Sequence, residues 1–265
     1  LIGCPCALVI SVPASIASAL SAGAKRGLLM KGGAVIEAAS KVKAVAFDKT
    51  GTLTHGKPQV TDIVPLGKTT EADVVRLTAA VEAGSSHPLA QAILKKAGDI
   101  ALPAATGAKA IVGKGVSATV EGRTLTVASP RHATEQGALQ GEDIRRATAL
   151  EAEGKTVAVL YADREALGLV ALRDEPRADA VEAVRQLRAM GITPTILTGD
   201  NPRTAAAIAE SIGAEFRAEM LPEDKLGVIR DMASAGGVMM VGDGINDGPA
   251  LKRASVGVAM GSGTD

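Results

Sequence analysis

Aromatic residues are almost missing from this chain of 265 residues. Phenylalanine, tyrosine and tryptophan together make up 1% of it, whereas 46% of its residues are hydrophobic. A core must therefore be packed from alanine, valine, leucine and isoleucine. The chain also has too few aromatic residues for a base-stacking surface or an aromatic cage. Lysine plus arginine and aspartate plus glutamate both total 29, so the formal net charge is zero. Without a basic excess to neutralise phosphates, a nucleic-acid partner is not expected.

Cysteine is scarce as well, because the chain contains only Cys4 and Cys6. Two cysteines cannot build a disulfide framework, and a disulfide between neighbours at this spacing would be strained. Metal ligation or thiol reactivity are the roles that remain.

Charge is missing from the first 24 residues, which include Pro5 and Pro13. As a helix this stretch would measure roughly 36 Å, near the length that crosses a bilayer core. A buried soluble helix or a signal peptide are the alternatives, but a signal peptide has basic residues before its apolar run, and here Lys25 and Arg26 follow it. We predict a truncated transmembrane helix over residues 1–24, with everything after it cytoplasmic.

The rest of the chain changes its pattern twice. After a connector over residues 25–40, a short apolar strand leads into Asp48. Residues 61–171 combine capped helices with alternating strands, which predicts a mixed α+β unit. Regular β/α alternation then returns, with a polar cluster after each strand. Because the carboxyl ends of parallel strands share one edge, residues 41–60 and 172–265 are expected to form one α/β domain interrupted by the insertion.

Four polar clusters in the α/β part carry the chemistry. They are Asp48-Lys49-Thr50-Gly51-Thr52-Leu53-Thr54, Thr198-Gly199-Asp200, the segment Pro222 to Lys225, and Gly242-Asp243-Gly244-Ile245-Asn246-Asp247. A carboxylate at a strand end, followed by a glycine turn with hydroxyl and N–H groups, can attack phosphorus and form an acyl phosphate. Lys225 and a cation held by Asp243 and Asp247 would supply positive charge, and the Thr198 hydroxyl a hydrogen bond.

These clusters resemble the phosphorylation-domain signature of P-type ATPases. Cys4-Pro5-Cys6 and Ser86-His87-Pro88 resemble the heavy-metal-transporting (CPx-type) branch, and the resemblance covers essentially the whole chain. It implies an α/β fold: a haloacid-dehalogenase-like parallel-sheet phosphorylation domain with an inserted α+β nucleotide-binding domain, preceded by part of a transmembrane helix. It also implies ATP and Mg²⁺ as cofactors, and as partners the other membrane helices and the actuator domain of one longer protein in a bacterial plasma membrane.

The resemblance also assigns roles to single residues. Asp48 would accept the γ-phosphoryl group of ATP, and the other catalytic positions would be Lys49, Thr50, Thr198, Gly199, Asp200, Lys225 and Asn246. The magnesium site would involve Asp48, Thr50, Asp243 and Asp247. The nucleotide would bind at Glu82, His87, Gly113 and Gly115, and the transported ion at Cys4 and Cys6.

Cysteine thiolates in a membrane helix select soft or borderline cations. The residues from Cys4 to Pro13 resemble those of zinc, cadmium and lead exporters more than those of the copper branch, so ATP-driven export of Zn²⁺, Cd²⁺ or Pb²⁺ is expected. Export of Cu(I) or Ag(I) is the alternative. A soluble phosphatase of the same fold is disfavoured because Thr50 stands where phosphatases place a general acid/base aspartate. A metal- or ATP-binding regulatory module without catalytic turnover is a third alternative. It is disfavoured because the phosphoryl-transfer residues would then have no function.

Overall fold

The structure is a computed structural model that describes residues 6–111, 113–244 and 247–261. Its helices are α1 (Cys6–Ala24), α2 (Gly33–Ala39), α3 (Glu71–Glu82), α4 (Pro88–Ala97), α5 (Pro130–Glu135), α6 (Gly141–Ala152), α7 (Ala178–Ala189), α8 (Pro202–Ile212), α9 (Pro222–Gly236) and α10 (Gly248–Arg253). Its strands are β1 (Ala44–Asp48), β2 (Gln59–Pro65), β3 (Ala105–Ile111), β4 (Gly115–Val120), β5 (Arg123–Ala128), β6 (Thr156–Ala162), β7 (Glu165–Arg173), β8 (Thr193–Leu197), β9 (Glu215–Arg217), β10 (Val238–Gly242) and β11 (Val256–Ala259).

A five-stranded parallel sheet with the order β11-β10-β1-β8-β9 carries the strand that ends at Asp48. Val45 and Phe47 of β1 pack into a core with α7 and α8, whereas Ala46 packs into a second core with α9 and α10. A strand covered by helices on both faces must be apolar at every position, which explains the continuous apolar run before Asp48.

The second sheet is antiparallel throughout and has the order β2-β7-β6-β5-β4-β3. Helices α3 and α4 cover one face of it, and α5 and α6 cover the other. All six strands lie between β1 and β8 in the chain, so this insertion unit interrupts the parallel-sheet unit. The predicted fold class is confirmed, and the domain boundaries at residues 60 and 172 stay predictions.

Helix α1 begins at Cys6, and residues 1–5, with Cys4, lie outside the described residues. Within the part of the chain that the structure describes, no helix combines the length and hydropathy that crossing a membrane needs. The assignment of residues 1–24 to part of a transmembrane helix stays a prediction. The predicted connector over residues 25–40 contains the short helix α2.

Two chain segments join the units, and the Asp174 carboxylate holds them together. It accepts hydrogen bonds from Thr54 Oγ1 at 2.5 Å, from the backbone N–H of Gly56 at 3.1 Å and from that of Lys57 at 3.1 Å. Thr54 also pairs with Pro176 in an isolated antiparallel bridge. These contacts hold the segment that leads into the insertion unit, residues 54–57, against the segment that leads back from it at Asp174. Both segments lie next to the turn that follows Asp48.

Replacing Asp174 with alanine is expected to lower the free energy of unfolding by about 2 to 4 kcal/mol. The change removes the charged acceptor of two backbone N–H groups and of a buried threonine hydroxyl, and hydrogen bonds to charged groups are worth about 1.5 to 3 kcal/mol each. The expected loss is smaller than the sum of three such bonds, because water can reach the N–H groups of Gly56 and Lys57 and the Thr54 hydroxyl can still donate to the Lys49 carbonyl at 3.1 Å. Denaturant unfolding of the chain measures the effect. Asp231→Ala is the control, because that carboxylate is exposed and lies 3.6 Å from Arg230. Equal stability of the two variants would contradict the prediction.

Candidate active site

Asp48 lies at the carboxyl edge of the parallel sheet, where the predicted motifs meet. It pairs in register with the last residue of β8, and Phe47 beside it pairs with Val241 of β10. Thr198 directly follows β8, and Asp243 directly follows β10. Adjacent strands lie only about 4.8 Å apart, so the register itself brings these three side chains to one place.

A tight turn over Lys49–Leu53 follows Asp48. Thr50 is extended, with φ −74° and ψ 125°, and Gly51 adopts the left-handed conformation, with φ +73°. A side chain at Gly51 would be strained there, and its Cβ would come within 3.7 Å of Asp243 Cβ. Asp243 therefore lies directly beside the turn.

Lys225, near the start of α9, joins two carboxylates. Its Nζ lies 2.5 Å from Asp48 Oδ1 and 2.9 Å from Asp247 Oδ1, and all three side chains are buried. Burial raises the pKa of Asp48 to about 6; the negative charges of Asp247 and Asp243 add to this shift, and Lys225 opposes it. Burial alone would lower the pKa of Lys225, but the two carboxylates outweigh it and raise the pKa overall.

The carboxylates at this edge fit a magnesium ion. Asp247 Oδ2 is buried and has no hydrogen-bond partner among the described residues, so it has acceptor capacity to spare. Across residues 6–111, 113–244 and 247–261, no three His, Cys, Asp or Glu side chains form a preformed metal cluster. Mg²⁺ does not require one, because it is usually held by one or two carboxylates together with waters and substrate phosphates.

Lys49, the residue after Asp48, forms a second ion pair that is largely buried. Lys49 Nζ is 2.5 Å from Asp200 Oδ2, and the same oxygen accepts a hydrogen bond from Thr198 Oγ1 at 2.9 Å. The Asp200 N–H donates back to Thr198 Oγ1 at 3.1 Å. The Thr198 hydroxyl proton is thus directed at Asp200, and its predicted contact with a phosphoryl oxygen would require this hydroxyl to rotate. Gly199 lies between these two residues, and a Cβ added there would be 3.4 Å from the Met220 carbonyl oxygen.

The predicted nucleotide residues all lie on the insertion unit. Glu82 ends α3, and His87 caps α4 by accepting a hydrogen bond from the Leu89 N–H at 3.2 Å. Burial raises the pKa of Glu82 and lowers that of His87, so the imidazole is neutral at pH 7. Gly113 lies in the turn between β3 and β4, Gly115 is the first residue of β4, and α3 packs against β4.

Gly115 cannot be replaced without moving a strand. A Cβ there would lie 2.1 Å from the Val127 carbonyl oxygen and 2.7 Å from Ala128 Cα. Gly113 has φ +67° with open space around it, so its requirement is conformational rather than steric. Glycine is therefore required at these two positions for different structural reasons, and the role of both residues in nucleotide binding stays a prediction.

Two predicted residues lie outside the described residues, Cys4 and Asn246, and of Cys6 only the backbone position is described. Asp174 and Glu151 were not predicted from the sequence. Asp174 directly follows β7, so the signal that identified the other sites, a carboxylate after a buried strand, was present there too. Glu151 lies within a helix, where the sequence carries no comparable signal.

Comparison with known proteins covers both units of the chain. A sequence profile of haloacid dehalogenase-like hydrolases matches residues 42–255. The chain belongs to the haloacid dehalogenase-like hydrolase family. Over its whole length it is 50% identical to the zinc/cadmium/lead-transporting P-type ATPase of Escherichia coli K12, of which it covers 36%. It is 42% identical to the probable copper-exporting P-type ATPase V of Mycobacterium tuberculosis H37Rv, of which it covers 35%.

Solved structures of heavy-metal P-type ATPases also match this haloacid dehalogenase-like chain. A zinc-transporting PIB-type ATPase in the E2.Pi state matches the whole chain with a TM-score of 0.71 and 49% identity, and 43% of that structure is covered. The catalytic CPx-ATPase domain CopB-B matches 89% of the chain with a TM-score of 0.66 and 28% identity, and 85% of that domain is covered. The resemblance to heavy-metal P-type ATPases is confirmed, and the chain spans about a third of the length of the curated relatives.

In this haloacid dehalogenase-like chain, the Asp48 carboxyl is expected to titrate near pH 6 without magnesium. Because its pKa is raised, Asp48 is mostly ionised at pH 7 and gains its proton as the pH falls through 6. A cation that binds the carboxylate competes with the proton, so millimolar Mg²⁺ should lower this pKa. Carboxyl ¹³C NMR of aspartate-labelled chain measures it, with Asp48→Asn to assign the resonance. A titration near pH 4, or one that magnesium leaves unchanged, would contradict the prediction.

Proposed function

We propose that this chain is the catalytic part of an ATP-driven exporter of Zn²⁺, Cd²⁺ or Pb²⁺ that works through a phosphoryl group on Asp48. The observation that carries the proposal is the buried Asp48 carboxylate, paired with Lys225 and lying beside Asp243 and Asp247 at a sheet edge. A buried carboxylate with a fixed cation and two acidic neighbours suits the receipt of a phosphoryl group.

In the proposed reaction, a carboxylate oxygen of Asp48 attacks the γ-phosphorus of ATP. The bond from that phosphorus to the β–γ bridging oxygen breaks, and ADP leaves with the electron pair. The Lys225 ammonium offsets negative charge on the phosphoryl oxygens throughout. Asp48, the Thr50 carbonyl, Asp243 and Asp247 would hold Mg²⁺, which neutralises phosphate charge when bound.

Lys49 would keep the loop that bears Thr198 close to the reacting group. Its ion pair with Asp200 ties the turn after β1 to the turn after β8. Thr198 and Asn246 are proposed to contact the phosphoryl oxygens, and Gly199 allows the chain to pass close to the backbone of residue 220. The roles of Thr198 and Asn246 follow from the resemblance to the P-type ATPase signature.

The persistence of the acyl phosphate separates a pump from a phosphatase. A phosphatase needs a group that activates water beside the phosphoaspartate, and in this chain the position two residues after Asp48 is Thr50. A threonine hydroxyl cannot accept a proton from water at neutral pH. The proposed intermediate would therefore last long enough to drive a conformational change in a longer protein.

ATP is proposed to bind the insertion unit at Glu82, His87, Gly113 and Gly115. His87→Ala should weaken ATP binding about 5-fold, since one hydrogen bond or stacking contact is worth about 1 kcal/mol. Isothermal titration of the chain measures the affinity. His55→Ala is a matched control, because His55 lies in the connection between the units rather than on the insertion. An unchanged affinity in His87→Ala would remove His87 from the site.

The transported ion is proposed to bind Cys4 and Cys6 within a membrane helix, in a longer protein that also carries the remaining membrane helices and an actuator domain. The curated relatives that this chain matches are about three times its length, and two of them are named for zinc, cadmium and lead transport. Relatives named for copper export are also similar, at 42% identity, so Cu(I) export is the second candidate. A bacterial plasma membrane is the proposed location.

ATP hydrolysis by the membrane-embedded longer protein tests the proposed function. Zn²⁺, Cd²⁺ and Pb²⁺ are each expected to stimulate it severalfold, and Cu(I) is not. Cys4→Ser and Cys6→Ser should abolish the stimulation without changing nucleotide binding. Stimulation by Cu(I) alone would favour the copper alternative. Phosphate release from small phosphoesters without stimulation by any metal would favour a phosphatase.

A further inference from the structure

Glu151 is a buried charge that the proposed reaction does not use. It lies in α6 of the insertion unit, and only 5% of its side chain is exposed. Its two carboxylate oxygens reach the parallel-sheet unit: Oε1 accepts from Asn201 Nδ2 at 3.0 Å, and Oε2 accepts from Arg203 Nη1 at 3.1 Å. A carboxylate is costly to bury, and here both of its partners belong to the other unit.

Asn201 connects this contact to the reacting carboxylate. Its Oδ1 accepts hydrogen bonds from the N–H groups of Arg203 at 3.0 Å and Thr204 at 3.1 Å, so it caps α8. It directly follows Asp200, whose carboxylate holds Lys49 at 2.5 Å. The position of Asn201 therefore sets the position of the loop that contacts the turn after Asp48.

Neighbouring residues of the insertion reinforce the contact. Thr204 Oγ1 donates to the Lys155 carbonyl at 2.8 Å, and Thr156 Oγ1 lies 3.4 Å from Asp200 Oδ1. Gly154 lies against α8, since a Cβ there would be at an ordinary contact distance of 3.5 Å from the Ala207 methyl group, and its φ of +77° is a conformation that favours glycine. The segment from residue 151 to residue 156 thus docks on α8 and on the loop before it.

The proposed reaction requires the nucleotide residues of the insertion unit to face Asp48. A donor bound by the insertion unit must place its terminal phosphorus against Asp48 on the other unit, and the chain joins the units only through the two segments at Asp174. We propose that Glu151 is a positioning residue that holds the insertion unit on α8, so that a nucleotide bound by the insertion is aligned with Asp48. This inference rests on the proposed function.

The inference predicts that the effect of Glu151 depends on the phosphoryl donor. ATP bound by the insertion unit reaches Asp48 only when the two units are correctly aligned, whereas acetyl phosphate reaches Asp48 without binding the insertion unit. With acetyl phosphate, the Asp48 carboxylate attacks the phosphorus and acetate leaves with the electron pair. Glu151→Gln keeps the size but presents an amide N–H₂ to one of two donors. Labelling of Asp48 from ATP should slow about 10- to 100-fold, because small misplacements of a reacting group cost that much. Labelling from acetyl phosphate should stay within about 2-fold.

The experiment compares the two labelling rates in the wild-type chain, Glu151→Gln and Glu153→Gln. Glu153 is the matched control, since it lies two residues away and pairs with Lys155 at 2.6 Å while remaining exposed. Arg203→Gln should reproduce the donor-selective loss. Equal slowing with both donors would show that Glu151 merely stabilises the fold and would overturn the inference, as would an unchanged rate with ATP.

The proposed function can fail separately from this inference. A wild-type chain that neither donor labels would count against the phosphoaspartate at Asp48. Small-angle X-ray scattering then still tests whether Glu151 holds the insertion unit on α8. Loss of that contact should increase the radius of gyration of Glu151→Gln but not that of Glu153→Gln. Identical scattering of the two variants would overturn the inference.

Discussion

Asp48→Asn is expected to reduce acid-stable, hydroxylamine-sensitive phosphoryl labelling by about 10⁴-fold or more. An amide oxygen is a very weak nucleophile, and losing the nucleophile of a covalent mechanism costs factors of this order. The replacement is nearly isosteric, and the asparagine Oδ1 can still accept the hydrogen bond that Lys225 donates at 2.5 Å. Incubation with γ-labelled ATP and Mg²⁺, followed by acid quenching, measures the label.

Two controls make this result specific to the nucleophile. Asp231→Asn, on the exposed side of α9, should label like the wild type. Asp48→Asn itself should retain ATP binding, because the predicted nucleotide residues lie on the insertion unit. Label that survives in Asp48→Asn would refute the assignment of Asp48 as the phosphoryl acceptor.

Thr50→Asp is expected to shorten the lifetime of the acyl phosphate by about 100- to 10,000-fold, the usual range for general acid/base assistance. It places a carboxylate two residues after Asp48, where phosphatases of this fold keep one. The new negative charge also repels the incoming phosphate, so formation and breakdown must be timed separately. A chase with unlabelled ATP after labelling measures the breakdown.

Thr50→Asn is the matched control for this change. It has the same shape as Thr50→Asp but neither the charge nor a proton-accepting oxygen of comparable basicity, so its acyl phosphate should decay at nearly the wild-type rate. Similar decay in Thr50→Asp and the wild type would refute the argument that Thr50 sets the persistence. It would leave the role of Asp48 unaffected.

Much of the site could be predicted because parallel strands bring their carboxyl ends together. Asp48, Thr198 and Asp243 are far apart in the chain, yet each lies at the carboxyl end of a predicted strand. Once the sheet is parallel, no further information is needed to place them at one edge. Lys225 could be predicted from charge, since a phosphoryl site needs a cation and Pro222 starts the helix that bears it.

Some elements could not be predicted because their residues show no usable pattern. β9 has three residues, all exposed, so it shows no alternation. The short helix α5 has only His132 and Ala133 buried, too few to show a helical period. The edge strand β2 has no fully buried residue, and its pairing with β7 includes a register shift. In each case tertiary contacts, rather than local preference, decide the structure.

Side-chain contacts between distant parts of the chain were also beyond sequence reasoning. Glu151 and Arg203 are separated by 52 positions, and Thr54 and Asp174 by 120. A glutamate in a helix is ordinarily solvated, and nothing in the sequence of α6 shows that this one meets a second unit. The Lys49–Asp200 pair was only half foreseen, since both residues were assigned to the site but not to each other.

Chemical mapping of the intermediate tests whether Asp48 carries the phosphoryl group. Borohydride reduces an acyl phosphate of aspartate to homoserine, so the chain is treated with ATP and Mg²⁺, reduced, digested and sequenced by mass spectrometry. We expect homoserine at position 48, dependent on both ATP and Mg²⁺. Homoserine at another aspartate, or none at position 48 while ATP is being hydrolysed, would contradict it.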